Sequence, residues 1–239
     1  MSVYIGTSGW RYRHWVGPFY PKALPAQDML GFYSREFGAV EINSSFYGQP
    51  DERTLADWRG ATPDRFRFAF KANRYITHMK KLKDVGEALD KMITGARVLG
   101  DKLGPVLLQL PPRWRVDTRR LEAFLSEFPA DLAIAFEFRD ASWFTDEVYE
   151  KLRRRRAAFC IYDLGGKKSP CAVTSDVVYV RLHGPDDVYV GSYGTEDLGR
   201  WAGAISTWDR EGRDVWCFFN NDEHGYAVQN ARELKRLLE

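Results

Sequence analysis

Ala39-Val-Glu-Ile-Asn-Ser-Ser-Phe-Tyr47 is the stretch on which the fold turns. Val40 and Ile42 share one parity and Glu41 and Asn43 the other, so as a strand it presents an apolar face one way and a polar face the other. The arrangement recurs down the chain. Ala133 to Asp140 sets Ile134, Phe136 and Phe138 against Ala133, Ala135, Glu137 and Arg139. Val177 to His183 sets Val178, Val180 and Leu182 against Tyr179, Arg181 and His183, and Phe66 to Lys71 sets three phenylalanines against Arg67, Ala69 and Lys71. In each case polar or charged members gather at the carboxyl end.

Working outward, strand-like runs alternate with helix-like ones. Strands are expected over Val3–Thr7, Val40–Ser44, Phe66–Lys71, Val106–Leu110, Leu132–Phe138, Ala158–Asp163, Val177–His183 and Val215–Asn220. Helical periodicity covers Ala26–Phe37, Glu52–Trp58, Val85–Leu103, Thr118–Phe128, Thr145–Arg155, Glu196–Arg210 and Tyr226–Leu238. Leu164 to Ser175, with its Gly-Gly and Lys-Lys pairs, carries little helical signal. The pattern predicts an α/β fold: a (β/α)8 TIM barrel with a weak or missing helix after strand 6, ahead of an open doubly wound sheet.

The 239 residues are 44% hydrophobic, 28% charged and 15% aromatic, which suits a soluble chain with a large core. No Pro, Gly or Ser linker interrupts the alternation, so a single domain over 1–239 is expected. A formal net charge of +2 gives no general attraction to nucleic acid or membrane. Cys160, Cys171 and Cys217 form no CxxC pair and read as free thiols in a reducing compartment. No signal peptide and no apolar run of about 20 residues is visible, so a cytoplasmic protein without a membrane partner is expected.

Several ordered motifs carry a resemblance: Gly6-Thr-Ser-Gly-Trp10, Gly17-Pro-Phe-Tyr-Pro21, Val40 to Tyr47, Phe66-Arg-Phe-Ala-Phe-Lys71 followed by Ile76-Thr-His78, Gly104-Pro-Val-Leu-Leu-Gln-Leu-Pro-Pro112, Glu137-Phe-Arg139, Val180-Arg-Leu-His-Gly184 and Phe219-Asn-Asn-Asp222. Together they resemble the YecE-like family, domain of unknown function number 72, over essentially the whole chain. The resemblance implies a TIM barrel and leaves activity to be argued from the residues. One departure is noted, Phe70 where a smaller apolar side chain is expected.

In a barrel, the outward faces of the strands pack under helices, and the inward faces turn polar only near a mouth. Glu41, Asn43, Lys71, Gln109, Glu137, Arg139, Asp163, Arg181, His183, Asn220 and Asn221 fall late in their strands and should converge on the C-terminal mouth. The alternative is a buried ion network that only holds the upper layer together, although apolar packing often serves as well.

A lysine beside carboxylates in a dry pocket can donate or accept a proton. Lys71, Glu137, Glu41 and His183 are therefore the catalytic candidates. Arg139 and Arg181 offer rigid forks for a carboxylate or phosphate. With them Asn43, Gln109, Asp163, Asn220, Asn221, Trp10, His78 and Tyr193 are the ligand-binding candidates. The expected function is an enzyme acting on a small anionic or phosphorylated substrate. A metal site built from Glu41, Glu137, Asp163 and His183 is the chemical rival, but no HxH or HExxH spacing appears, and neither metal nor other cofactor is expected.

The rival of another class is a nucleic-acid-binding or repair-associated barrel. Its support is the basic, aromatic run Arg74, Tyr75, His78, Lys80, Lys81 and Lys83. Lys151 to Arg156 closes a helix just before a strand and should lie at the opposite end of the barrel. No GxSxG elbow, Walker loop or GxGxxG is present. The oligomeric state is not readable from these patterns.

Overall fold

The structure of the protein is a computed structural model that describes residues 2–239. Eight parallel strands form its centre: β1 (Val3–Thr7), β2 (Ala39–Ile42), β3 (Arg67–Lys71), β4 (Leu103–Gln109), β5 (Ile134–Glu137), β6 (Ala158–Leu164), β8 (Val177–Leu182) and β9 (Asp214–Phe219). A two-residue strand, β7 (Lys167–Lys168), pairs antiparallel with β6. Helices α1 (Met29–Glu36), α2 (Glu52–Gly60), α3 (Gly86–Ala96), α4 (Thr118–Glu127), α5 (Asp146–Arg154), α6 (Thr195–Arg210) and α7 (Tyr226–Leu238) fill the crossovers. The order β1-β9-β8-β6-β5-β4-β3-β2 is that of the expected TIM barrel.

Closure between β1 and β2 rests on few groups. One bridge joins Ser8 to Glu41, and the Gly9 N–H donates to the Glu41 carbonyl at 2.8 Å. Below it the buried Tyr33 hydroxyl replaces the ladder, accepting from the Thr7 N–H at 2.9 Å and reaching the Ala39 carbonyl at 3.2 Å. Gly6 permits this approach, since a Cβ there would lie 2.1 Å from the Ala39 oxygen.

The barrel interior is filled asymmetrically. Ala39, Ala69, Ala135 and Ala158 leave room for Tyr179, Trp216 and Phe218 from the opposite wall. The Trp216 ring takes so much of that space that a Cβ on Gly104 would meet it at 2.4 Å. The larger core lies outside, between strands and helices, where Phe66, Phe68 and Phe70 are fully covered. Phe70 therefore points away from the mouth, and its extra bulk is absorbed among the helices.

The missing helix after strand 6 has a specific replacement. The β5–β6 ladder stops at Phe136 and Phe159. The returning segment satisfies β6 at both ends through hydroxyls: Thr174 Oγ1 accepts the Phe159 N–H at 2.8 Å where the ladder runs, and Ser169 Oγ accepts the Tyr162 N–H at 2.9 Å beyond it. Buried amides need such partners, and short polar side chains can supply them without a helix.

Several boundaries differ from expectation. The long helix over Val85–Leu103 ends at Ala96, continues as a 3-10 turn to Lys102 and is broken at Gly100, whose φ is +59°. β4 consequently begins at Leu103 rather than Val106. β2 ends at Ile42, and Asn43 already has helical φ and ψ of −90° and −22°. In the Lys151–Arg156 run, Arg155 binds the Leu125 carbonyl at 2.9 Å and the Phe128 carbonyl at 3.3 Å, where α4 ends, as cations do at helix C-termini.

Candidate functional site at the barrel mouth

Strand parity brings Glu41, Lys71, Glu137 and Arg181 together above the apolar layer of Tyr179, Trp216 and Phe218. Arg181, fully buried, bridges the two carboxylates: its Nη2 lies 2.7 Å from Glu41 Oε1 and its Nη1 2.6 Å from Glu137 Oε2. Ser8 Oγ and the Tyr179 hydroxyl donate to Glu41 at 2.7 and 2.8 Å. Arg139 pairs through Nε with Glu137 Oε1 and lies over the Tyr162 ring. His183 stands 3.5 Å from the same Glu137 oxygen.

These contacts set the protonation states. Burial pushes the Glu41 carboxyl up, but the Arg181 and Lys71 charges outweigh it and hold the group below its usual range. Burial likewise raises Glu137, and Arg139 and Arg181 overcome it by more, leaving it well below that range. Burial drives His183 down to about 3 against the pull of Glu137, so its imidazole is neutral at neutral pH. Because guanidinium groups only donate, its Nε2, 3.1 Å from Arg139 Nη2, is the acceptor. The ring proton then sits on Nδ1, and a hydrogen bond to Asn220, whose amide lies 3.1 Å away, requires that amide to present its oxygen.

Lys71 is different. Among the described residues its ammonium has no hydrogen bond or ion pair, and the Phe46 ring lies 4.4 Å from it. Burial, and next the Arg181 charge, bring its pKa down to about 8 despite Glu41 and Glu137. Two carboxylates and two guanidiniums cancel, so the protonated Lys71 is the unmatched charge of the cluster. Half-buried His78 packs edge-on against the same Phe46 ring at 5.0 Å, from a π-helical turn at Tyr75–Met79.

The other expected site residues separate. Asn43, having left the strand, and Trp10 line a neighbouring cleft. Gln109 sits partly exposed at the end of β4 in register with Glu137. Asp163 is buried at the β6 end, where burial raises its carboxyl and Lys168 opposes the shift. Asn221 donates to the Gly191 carbonyl at 2.9 Å and to Asn230 at 2.8 Å, and the Tyr193 hydroxyl accepts the Gly184 N–H at 3.0 Å. Both are enclosed, at 0% and 2% exposure, and hold a loop rather than face the mouth. Arg181, at 0% exposure with a carboxylate on each terminal nitrogen, is likewise not free to clamp an anion.

Sequence reasoning overlooked Ser8, Tyr179 and Phe46 as partners of the cluster; Tyr179 shares the parity of Arg181, which is a usable signal. It also overlooked the rim pair His14 and Asp222, whose Nε2 and Oδ2 lie 2.9 Å apart. Asp222 further accepts from Trp15 Nε1 at 2.6 Å, and burial lifts its carboxyl to about 6 against those two partners. Residues distant in sequence supply this pair, so no local spacing announces it. Among the described residues, no group of three or more His, Cys, Asp or Glu side chains is placed to hold a metal ion.

Residues 4–239 match the family described as "Protein of unknown function DUF72". The chain belongs to the DUF72 family. It is similar to the UPF0759 protein YunF of Bacillus subtilis, 27% identical over 99% of this chain and 95% of that protein. It is also similar to the UPF0759 protein YecE of Escherichia coli, 29% identical over 64% of this chain and 54% of that one. In three dimensions it resembles the crystal structure of a DUF72 family protein from Thermotoga maritima, with a TM-score of 0.89 and 28% identity over 100% of this chain and 99% of that one. The DUF72 motifs Val40 to Tyr47, Glu137-Phe-Arg139 and Val180 to Gly184 thus supply the charge cluster, and Phe66 to Lys71 its lysine.

Proposed function

We propose that the chain is an enzyme acting on a small anionic or phosphorylated substrate at the C-terminal mouth of the barrel, with Lys71 as its acid–base group. The observation that carries this reading is that Lys71 alone in the cluster is buried without an ionic partner. A pKa of about 8 places it where both protonation states are populated near neutral pH, as general acid–base work requires. Glu41 and Glu137 remain ionised and fasten Arg181 and Arg139; their role is to set the field in which Lys71 titrates. With each carboxylate already bound to a guanidinium, a metal-dependent mechanism draws less support than lysine chemistry.

The substrate anion answers the surplus charge of protonated Lys71, beside the Arg139 edge. Free buried thiols at Cys160 and Cys217 are consistent with a reducing cytoplasm. No helix among the described residues is long and apolar enough to cross a membrane.

Two measurements test the reading. Reductive methylation with isotope-labelled methyl groups, followed by NMR titration, should show one lysine near pH 8; a Lys71 titrating with the exposed lysines would overturn it. A thermal-shift series with inorganic and sugar phosphates should show stabilisation in wild type that Lys71→Met loses, about 2.7 kcal/mol at a hundredfold excess over Kd.

The nucleic-acid reading retains one favouring observation. Tyr75 is 41% exposed on the basic segment, with Lys80 Nζ 5.7 Å from its ring. Oligonucleotide stabilisation that survives Lys71→Met and falls steeply with salt would favour it, since each neutralised phosphate contributes a slope of about −0.9 on duplex DNA.

A further inference from the structure

Beside the charge cluster, between the loop after β1, the loop after β2 and helix α2, lies a cleft of about 1010 Å³. A small anion at Lys71 would leave it empty, although its size is that of a pocket for a whole organic ligand. Its walls are aromatic: Trp10, Tyr12, Tyr47 and Trp58 all line it. Trp10 meets Trp58 edge to face, with centroids 4.8 Å apart, which fixes both rings without a ligand. Tyr47 is 76% exposed at the same cleft, with its ring edge-on to Phe46 at 5.1 Å.

One polar atom in this wall lacks its partner. Asn43 Oδ1 is buried with no hydrogen bond among the described residues, so turning the side-chain amide would bring an acceptor to the cleft without breaking an existing bond. Cleft and cluster are joined by short covalent and hydrogen-bonded paths. Asn43 follows Glu41 by two residues, and the Tyr12 hydroxyl donates to the carbonyl of Ser8, whose own hydroxyl holds Glu41.

From this juxtaposition we infer that the cleft binds a flat heteroaromatic ring bearing an N–H donor, covalently joined to the anionic group that Lys71 meets. A nucleoside monophosphate is the ligand class that fits. Its base stacks among Trp10, Tyr47 and Trp58 and donates to Asn43 Oδ1, and its phosphate reaches the mouth. The ring half rests on the cleft itself; the anionic half rests on the reading of Lys71 given above.

The test is calorimetric titration of the full chain with adenosine and guanosine monophosphates, the two parent nucleosides, inorganic phosphate and glucose phosphate. At least one nucleotide should bind more tightly than its nucleoside or phosphate alone. Trp58→Ala and Asn43→Ala should each weaken nucleotide and nucleoside by about tenfold while leaving phosphate unchanged, and Trp58→Phe should restore most of the loss. Lys71→Met should erase the difference between nucleotide and nucleoside. Nucleotides that bind no more tightly than glucose phosphate, or cleft variants that bind as wild type does, overturn the cleft assignment while the anion site stands. Nucleosides lost in the cleft variants, with a phosphate gain that persists in Lys71→Met, overturn the lysine reading while the ring site stands.

Discussion

At the residue scale, Lys71 is held at an energetic loss. Its pKa of about 8 lies below the ordinary 10.5, so the unfolded chain binds a proton more readily between those values. The folded state therefore carries the full penalty below pH 8, about 3 kcal/mol at 1.36 kcal/mol per unit, and is relieved of it as pH rises to 10.5. Lys71→Met should raise the melting temperature by several degrees at pH 7, with the advantage vanishing above pH 10.5; a variant less stable than wild type at pH 7 would show that the ammonium is paired after all. Glu137→Gln should act in the opposite direction. It leaves Arg139 and Arg181 short of a counter-charge in a fully buried layer, for a loss of about 3–5 kcal/mol measurable by urea unfolding. All the charged members of the cluster were legible in the sequence, because parity and position late in a strand are local properties. Which cation takes which carboxylate was not, since Arg181 and Glu41 are 140 residues apart.

At the element scale, the weak points are the two places where strand ladders give way to side chains. Tyr33→Phe removes the hydroxyl that satisfies the buried Thr7 N–H and should cost about 1–3 kcal/mol. Amide exchange would localise the effect, with faster exchange at Thr7 than in the β8–β9 ladder. Ser169→Ala and Thr174→Ala should cost similar amounts by orphaning the Tyr162 and Phe159 amides. The alternation of strands and helices, and the gap after β6, could be read from periodicity alone. The hydroxyl substitutes could not, because a serine in a polar loop carries no mark of the strand it will face. Asn43 shows the same limit at finer grain: its parity agrees with Glu41, yet one helical backbone step turns it out of the barrel and into the cleft.

At the scale of the whole molecule, acid is the condition to which this fold should be most sensitive. His183 is buried with a pKa of about 3, so between 6.5 and 3 the unfolded chain takes up a proton that the native imidazole refuses, and stability falls as pH falls through that window. Glu41 and Glu137, both lowered, add a second loss below about 4.5, where the unfolded carboxyls protonate first. Denaturant midpoints should therefore begin to decline near pH 6.5 in wild type and fall less steeply between 6.5 and 4.5 in His183→Gln, where half-buried His78, also lowered by burial, keeps a smaller loss; identical profiles would show that His183 takes up its proton in the native state.

The sequence by itself determined the TIM barrel, its DUF72 motifs and the residue types that gather at its mouth, because strand parity and the β–α alternation are periodic and need no knowledge of neighbours. Only the tertiary structure decided that Arg181 is spent between two carboxylates, that Lys71 is left without a partner, and that Trp10 and Asn43 serve a separate cleft. Those outcomes depend on distances between strands far apart in the chain and on the point at which each strand ends, and such distances exist only once the barrel has closed.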